Sequence, residues 1–449
     1  SDMTQQLQTT DVTGEVLRPG DEAYDDAARA FFGEGAPALV ARPSTADEVA
    51  AAIAHAVRDD LAISVRSGGH SPMGHSTNTG GMVIDLRHLD GVEILDHDRR
   101  LVRVGGGANW GAVGAALDPH DLGLTSGDTT SVGVGGLTLG GGMGWMVRRH
   151  GLAIDNLVSA RVVTADGRLV TASADENPEL FWAIRGGGGN FGVVVDFDFV
   201  AQEVASVHYG AISYQLDDPV RLMVRWRDAM RKAPEELSST LALMPRMPGA
   251  PPAATVLLCY AGAPGTDVQV ADAAIEPLLE LGTVTEATIT ERRYADVFEE
   301  AQHPPGVRMV GRNTLVRRLD GNLLADVDVA HRGPAPTVIA LRSLGGAFAR
   351  VPAEATAFAH RDAEAMIQMA VFLPAATTDA DVTQALGPWE VVAARGTGTY
   401  VNFQASATVE DLAAAYPPAT MSRLVAVKRA NDPDNVFALN HNIEPAHGG

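Results

Sequence analysis

The chain has 449 residues, a formal net charge of −22 and a hydrophobic content of 46%. A chain of this length can form two or three domains with a large buried core. The acidic charge argues against nucleic-acid partners, because phosphates are bound by clustered Lys and Arg. No apolar run is long enough to cross a membrane and no signal-peptide pattern is present, so we expect a cytoplasmic protein, either a monomer or a homodimer.

The single cysteine, Cys259, excludes an intrachain disulfide and a thiolate metal cluster. It lies within the apolar run 255–260, which predicts a buried core thiol on a strand. At the N-terminus, Ser1 and Asp2 precede Met3 in the manner of a cloning remnant, so we expect the native chain to begin at Met3.

The first regular elements are predicted between residues 43 and 86. Ser44 or Thr45 can cap a helix that starts with two acidic residues, Asp47 and Glu48. Strands are predicted at 63–65 and at 82–86. This part of the chain is therefore α plus β, with function expected in its loops.

A histidine motif, Arg66-Ser67-Gly68-Gly69-His70-Ser71, follows the first of these strands. Glycine adopts backbone dihedrals that strain other residues, so the chain there can approach a flat or anionic ligand closely. The imidazole of His70 is then free to react or to form hydrogen bonds. His75 has no acidic residue at the spacing of a helical zinc motif, so no metal site is predicted.

The segment from Gly127 to Gly144 is rich in glycine and alternates small residues with Val and Leu. Such a backbone can present successive N–H groups to a pyrophosphate without clashes from Cβ atoms. The pattern predicts a cofactor that carries a diphosphate. The alternative is a glycine-rich turn in an all-β structure, which a second glycine cluster at 186–192 disfavours.

The second cluster contains a formal G-x-G-x-x-G pattern at Gly187, Gly189 and Gly192. A dinucleotide fingerprint needs a strand before the glycines and a helix after them. Here residues 178–184 predict a helix before the cluster, and the β-branched run 193–200 predicts a strand after it. A nicotinamide-dependent dehydrogenase is therefore disfavoured.

These motifs occur together with the run 132–145, with Phe181 to Gly187, and with a closing Asp432-Pro433-Asp434-Asn435-Val436-Phe437. In this combination the chain resembles the FAD-linked oxidases related to berberine bridge enzyme and 6-hydroxynicotine oxidase, which have the vanillyl-alcohol-oxidase-like fold. The resemblance implies that His70 is bonded to the 8α-methyl carbon of FAD. Many members also bond flavin C6 to a cysteine, but the matching residue here is Thr129, which implies attachment through His70 only.

The resemblance and the glycine patterns together predict a set of residues that bind the cofactor. They are Arg66, Ser67, Gly68, Gly69, His70, Ser71, Gly74, Gly127, Thr129, Val132, Gly133, Gly136, Gly140, Gly141, Gly142, Gly144, Trp145, Asn190, Gly192, Val194, Tyr400, Asn440 and Asn442.

The domain organisation is predicted as α+β in three stretches. The resemblance implies that residues 1–203 form a PCMH-type FAD-binding domain, which residues 399–449 complete with a returning strand and the C-terminal segment. Residues 204–398 form an inserted substrate domain, in which strand-like and helical pieces alternate. The resemblance implies an antiparallel sheet backed by helices there, and this sheet would form the ceiling over the isoalloxazine ring.

Three residues are candidates for catalysis, namely Tyr400, Asn402 and His360. Tyr400 is predicted to assist proton removal, although a phenol with its ordinary pKa near 10 needs help to act at neutral pH. On a strand, Tyr400, Asn402 and Gln404 would share one polar face, which favours a cavity wall. His360 lies in a stretch that resembles a family segment near the active cavity. The alternative for Tyr400 is a purely structural role.

Three functions remain open from the sequence. The first is an oxidase that takes a hydride from an alcohol, hemiacetal or amine carbon of a small molecule and passes the electrons to O2, giving H2O2. The second is an oxygenase or cyclase of natural-product biosynthesis. The third is a flavin-containing protein that sequesters a drug-like ligand. Substrate identity does not follow from the fold.

Overall fold

Three large β-sheets organise the computed structural model, which describes residues 12–302 and 304–446. The predicted cloning remnant and the start at Met3 lie outside these residues. Strands and helices are numbered along the chain. The first sheet has the order β1-β2-β4-β3, in which β3 and β2 run parallel to β4. Its strands are β1 (Glu15–Leu17), β2 (Leu39–Arg42), β3 (Ile63–Arg66) and β4 (Met82–Asp85).

The second sheet is antiparallel and has five strands in the order β5-β6-β10-β8-β9. The central strand β10 is the β-branched and aromatic run predicted from the sequence. The strands are β5 (Val92–Asp96), β6 (Leu101–Gly105), β8 (Leu157–Val163), β9 (Leu169–Ser173) and β10 (Val193–Val200). A short ribbon pairs β7 (Leu122–Gly123) with β11 (Gln202–Glu203).

The third sheet is antiparallel and has seven strands in the order β15-β12-β14-β13-β17-β18-β16. Its strands are β12 (Ser206–Gln215), β13 (Leu237–Leu243), β14 (Ala253–Tyr260), β15 (Val284–Arg293), β16 (Val307–Val316), β17 (Thr337–Ser343) and β18 (Ala365–Pro374). Cys259 is fully buried on β14, as predicted.

Helices cover one face of the seven-stranded sheet and fill the spaces around the other two. They are α1 (Tyr24–Ala27), α2 (Ala46–Arg58), α3 (Trp110–Leu117), α4 (Val134–Gly140), α5 (Val147–His150), α6 (Pro178–Ile184), α7 (Pro219–Lys232), α8 (Val268–Ile275), α9 (Gly321–His331), α10 (Ala347–Arg350), α11 (Asp379–Ala385), α12 (Gly387–Ala393), α13 (Val409–Ala415) and α14 (Pro418–Asn431). The cap of α2 is Thr45, whose hydroxyl accepts a hydrogen bond from Glu48 N at 3.2 Å.

The largest apolar core lies between the seven-stranded sheet and its helices. Trp226 of α7, Leu324 of α9 and Trp389 of α12 are buried there against alternate residues of the strands. Because side chains alternate along a strand, the opposite face of the same sheet is left to form the wall of a cavity. The fold therefore directs one face of this sheet toward the glycine-rich loops.

One predicted element is wrong. The returning strand expected near residue 400 does not form, because Val401–Phe403 is a 3-10 turn and Gly398 makes only an isolated bridge with Leu315. The turn is held from outside by Asn313, whose amide donates to Tyr400 O at 2.7 Å and accepts from Tyr400 N at 2.8 Å. Consequently Tyr400, Asn402 and Gln404 do not share one face.

Candidate active site

A cavity of about 520 Å³ lies between the loops of the two smaller sheets and the free face of the seven-stranded sheet. The predicted residues that line it are Ser67, Gly68, Gly69, His70, Ser71, Gly127, Thr129, Val132, Gly133, Gly136, Gly192, Val194, Asn402 and Asn440. The histidine motif and both glycine clusters are therefore brought to one place by the fold.

The histidine loop and the glycine-rich segment are in direct backbone contact. A Cβ atom on Gly68 would lie 2.3 Å from Gly133 N, so only glycine permits this approach. Ser67 ties the same two segments together, since its hydroxyl donates to Gly106 O at 2.7 Å and accepts from Gly135 N at 3.3 Å. Gly69 has φ +80°, which is the left-handed conformation expected for this loop.

The imidazole of His70 is fixed by its neighbours. Its Nε2 lies 2.9 Å from the Ser131 hydroxyl, and its ring stacks on Phe31 with a centroid distance of 4.2 Å. Burial lowers the pKa of His70 from 6.5 to about 4, so the ring is neutral at physiological pH. In the tautomer in which Nε2–H donates to the Ser131 hydroxyl oxygen, the other nitrogen, Nδ1, keeps a free lone pair and is available as a nucleophile.

The side of the cavity formed by the seven-stranded sheet is mostly uncharged. It is lined by Met309 and Gly311 of β16 and by Gln368, Met369 and Ala370 of β18. Gln302 lies on a loop at the same side, and Phe403 of the 3-10 turn lies beside Asn402. These residues can enclose a small molecule and offer it amide hydrogen bonds.

Tyr400 is fully buried and is not part of the cavity surface. Its hydroxyl oxygen accepts hydrogen bonds from Gly142 N and Met143 N, each at 3.2 Å, and from Asn402 Nδ2 at 2.8 Å. Burial raises the pKa of Tyr400 against the opposing effect of these donors, so the phenol stays neutral. This geometry corresponds to the structural alternative, in which the tyrosine anchors the end of the glycine-rich segment.

His360 is also separated from the cavity. Its Nε2 lies 2.8 Å from Ala414 O, and the residue lines a different depression on the surface together with Arg317 and Asp362. The structure thus does not bring His360 together with His70 and Asn402, and its predicted role in catalysis has no geometric support.

Several predicted cofactor residues act behind the cavity wall. Arg66 donates to Ser76 O and Ala27 O and so supports the histidine loop, while Asn190 accepts a hydrogen bond from Ile443 N. Trp145 packs against Tyr209 in a separate apolar cluster. The other members that do not line the cavity are Gly74, Gly140, Gly141, Gly142, Gly144 and Asn442.

Two family models and several known proteins match this chain. The model described as FAD binding domain matches residues 37–173, and the model described as berberine and berberine like matches residues 399–444. The (R)-6-hydroxynicotine oxidase of Paenarthrobacter nicotinovorans is 31% identical over 459 aligned positions, which cover 97% of each chain. The chain belongs to the FAD-linked oxidases of the berberine bridge enzyme and 6-hydroxynicotine oxidase-like family.

Solved structures of this oxidase family share the whole fold. The 6-hydroxy-D-nicotine oxidase of Arthrobacter nicotinovorans has a TM-score of 0.86 at 28% identity and covers 97% of this chain and 99% of its own. The xylooligosaccharide oxidase of Myceliophthora thermophila has a TM-score of 0.86 at 25% identity, with 100% of both chains covered. The predicted α+β, PCMH-type fold is confirmed, and the protein is an FAD-dependent oxidoreductase.

The cavity of this FAD-linked oxidase fits its cofactor. A Cβ atom on Gly136 or Gly189 would meet no atom within 4 Å, so both glycines border open space in which a ligand can lie against the backbone. Asn440 also lines the cavity, and its Oδ1 is buried without a hydrogen-bond partner within the described protein. An unpaired buried acceptor of this kind is explained by a donor on a bound group.

The sequence did not single out all residues of the oxidase's cavity. Among those it missed are the stacked Phe31, the edge-on Phe32, and the two histidines His75 and His441, whose pKa values burial lowers. The two adjacent aromatic residues, Phe31 and Phe32, just before Gly33 were the one feature of the sequence that could have indicated this part of the cavity wall.

In the part of the chain that the structure describes, no group of three or more His, Cys, Asp or Glu could hold a metal ion. No helix formed by these residues is long and apolar enough to cross a membrane.

Proposed function

We propose that this protein oxidises an alcohol, hemiacetal or amine carbon of a small organic molecule and uses O2 as electron acceptor, releasing H2O2. In this reaction the bound FAD would supply the two-electron chemistry. The observation that carries the proposal is the enclosure of the neutral His70 in the same cavity as an uncharged wall of Gln302, Gln368 and Asn402.

We further propose that FAD is attached through His70 only. The Ser131 hydroxyl at Nε2 and the stacking of Phe31 hold the ring in one orientation, which leaves Nδ1 for the bond. Thr129 lines the cavity at the position where other members of the family carry the second, cysteinyl attachment. A threonine hydroxyl does not form that thioether.

The remaining residues position the reactants. The backbone of Gly133 to Gly136 and the side chain of Asn440 would hold the cofactor by hydrogen bonds. Asn402 is oriented by its own donation to Leu137 O at 2.9 Å and to Tyr400 Oη at 2.8 Å. Phe403 and Met309 would exclude water from the reacting carbon, which strengthens polar interactions inside the cavity.

We keep the sequence-based domain bounds as part of this proposal. Residues 1–203 and 399–449 would form the FAD-binding domain, and residues 204–398 the substrate domain. The position of the seven-stranded sheet between residues 206 and 374 supports these bounds.

The experiment is anaerobic mixing of the purified protein with candidate substrates, followed by readmission of O2. Loss of flavin absorbance with substrate, and its return with stoichiometric H2O2, would support the oxidase. Incorporation of oxygen from O2 into the product would instead identify an oxygenase. Flavin that binds ligands but is reduced by none of them would identify a sequestering protein.

A further inference from the structure

The cavity wall contains one carboxylate among its described residues, that of Asp128. The other polar groups of the substrate side are amides, namely Gln302, Gln368 and Asn402. An amide does not take up a proton at ordinary pH, so none of these three can act as a general base. Asp128 is next to Thr129, and the sequence assigned it no function.

The carboxylate of Asp128 is held by two contacts. Its Oδ1 accepts a hydrogen bond from the Thr129 hydroxyl at 3.3 Å, and its Oδ2 lies 3.3 Å from Arg342 Nη2. The backbone is fixed as well, since Asp128 O accepts from Glu299 N at 3.0 Å. A carboxylate can accept about four hydrogen bonds, so two positions remain for a substrate. The side chain is 33% exposed, which leaves it accessible from the cavity.

Arg342 reaches Asp128 from the seven-stranded sheet. It lies on β17 opposite Met366, two residues from Gln368 on β18, and therefore belongs to the face of the sheet that borders the cavity. Its side chain is only 14% exposed. A largely buried guanidinium fixes the direction of the Asp128 carboxylate through a charge-assisted contact.

Most of the other titratable groups on the wall are engaged elsewhere. His70 is the proposed attachment site, Tyr416 donates its proton to Gly186 O at 2.8 Å, and His441 Nε2 contacts Ser406 O at 3.2 Å. His75 Nδ1 is buried without a hydrogen-bond partner among the described residues, and burial lowers the pKa values of His75 and of the neighbouring His441. A lowered pKa makes each histidine a weaker proton acceptor, whereas the carboxylate of Asp128 is fixed in direction by Arg342.

We propose that Asp128 accepts the substrate's O–H or N–H proton and that Arg342 is its positioning residue. The inference rests on the proposed oxidase function. As the proton passes to a carboxylate oxygen of Asp128, the C–H hydrogen leaves with its electron pair to the cofactor, and a C=O or C=N bond forms. The carboxylic acid then returns its proton to solvent. Reduction of O2 to H2O2 consumes the two electrons and two protons released by the substrate.

The charged and titratable groups that the described residues place near Asp128 come from β12, from β17 and from the segment 294–299. Arg342 of β17 is the cation in contact with it, and Glu299 lies on the adjoining loop. Tyr209 of β12 donates to Glu299 Oε1 at 2.7 Å, and burial, Glu299 and Asp128 together raise its pKa. Burial, and to a smaller extent Asp128, also raises the pKa of Tyr294. Both phenols therefore stay neutral through the pH range of the test.

The test is the rate of anaerobic loss of flavin absorbance between pH 5 and 9, with xylobiose, (R)-6-hydroxynicotine, benzyl alcohol and 1-phenylethanol as probes. The first compound that reduces the wild-type flavin is carried forward. For Asp128→Asn we expect the rate constant to fall about 100-fold or more and its decline toward acid pH to disappear. For Arg342→Gln we expect a smaller fall in the rate constant, with partial recovery in Arg342→Lys, because the carboxylate loses the cation that fixes its direction.

Asp166→Asn is the matched control, since it also removes a carboxylate paired with an arginine, Arg168, but on the exposed surface. It should leave the rate and its pH profile unchanged. Flavin content and thermal midpoint are measured for every variant, so that a loss of folding is not taken for a loss of chemistry. If Asp128→Asn folds, carries flavin and keeps the wild-type pH profile, the assignment of Asp128 is wrong. If no probe reduces the wild-type flavin, the proposed oxidase function fails and this inference fails with it.

Discussion

The Nε2 atom of His70 lies 2.9 Å from the hydroxyl oxygen of Ser131, across the contact between the histidine loop and the glycine-rich segment. One hydrogen bond therefore joins the proposed attachment residue to the loop that would hold the cofactor. The same contact brings Gly68 against Gly133, which allows the two loops to form one surface.

Replacement of His70, the proposed attachment residue, should leave the flavin without a covalent linkage. In His70→Ala we expect a protein that folds and gives a colourless pellet on acid precipitation, because the nucleophilic nitrogen is gone. The checks are the intact mass and the absorbance of pellet and supernatant. His97→Ala, an exposed histidine outside the cavity, is the control and should keep the yellow pellet. A yellow pellet from His70→Ala would place the bond elsewhere.

Attachment should depend on pH in a way that reports the environment of His70. Its pKa is lowered to about 4 in the folded protein, below the ordinary 6.5, so the imidazole stays neutral at pH values where a free histidine is charged. We therefore expect apoprotein from riboflavin-starved cells to form the covalent bond with FAD at an even rate from pH 8 to about pH 5, and more slowly toward pH 4. A decline centred near 6.5 would contradict the buried, neutral ring.

Loss of the Tyr400 hydroxyl should affect stability more than chemistry. Tyr400→Phe leaves the donors Gly142 N, Met143 N and Asn402 Nδ2 without their acceptor, at a cost of about 1–3 kcal/mol for each donor that finds no other partner. Thermal unfolding should show a midpoint lowered by several degrees. The pH profile of substrate oxidation should keep its shape.

Tyr24→Phe provides the comparison for that variant. Tyr24 is also buried, but its hydroxyl donates a single hydrogen bond, to Pro37 O. It should lower the unfolding midpoint less than Tyr400→Phe does. An unchanged midpoint for Tyr400→Phe, together with a lost pH dependence, would restore the catalytic assignment of this tyrosine.

Local patterns predicted much of the fold. The apolar run around Cys259 lies within the strand β14, and the helix and strand that flank the second glycine cluster form with the predicted bounds, as α6 and β10. Each of these elements is specified by its own residues, through caps, apolar spacing and β-branched side chains. The histidine loop was predicted for the same reason, since its glycines are needed for a local conformation.

The sequence was less informative where contacts between residues far apart in the chain determine the local conformation. Asn313, 87 residues before Tyr400, holds the backbone of the 3-10 turn, and no period within residues 400–404 reveals this. Likewise the strand β18 carries small or apolar residues on both faces around Gln368, so alternation alone does not tell which face borders the cavity. The catalytic predictions for Tyr400 and His360 depended on such information.

The central claim, a flavin bonded to His70, is tested most directly by the intact mass of the denatured wild-type protein, with the spectrum of its acid-precipitated pellet. We predict a mass increased by that of one FAD and a yellow pellet. The mass of the unmodified chain with a colourless pellet would contradict the claim, and the supernatant would then tell dissociable flavin from none.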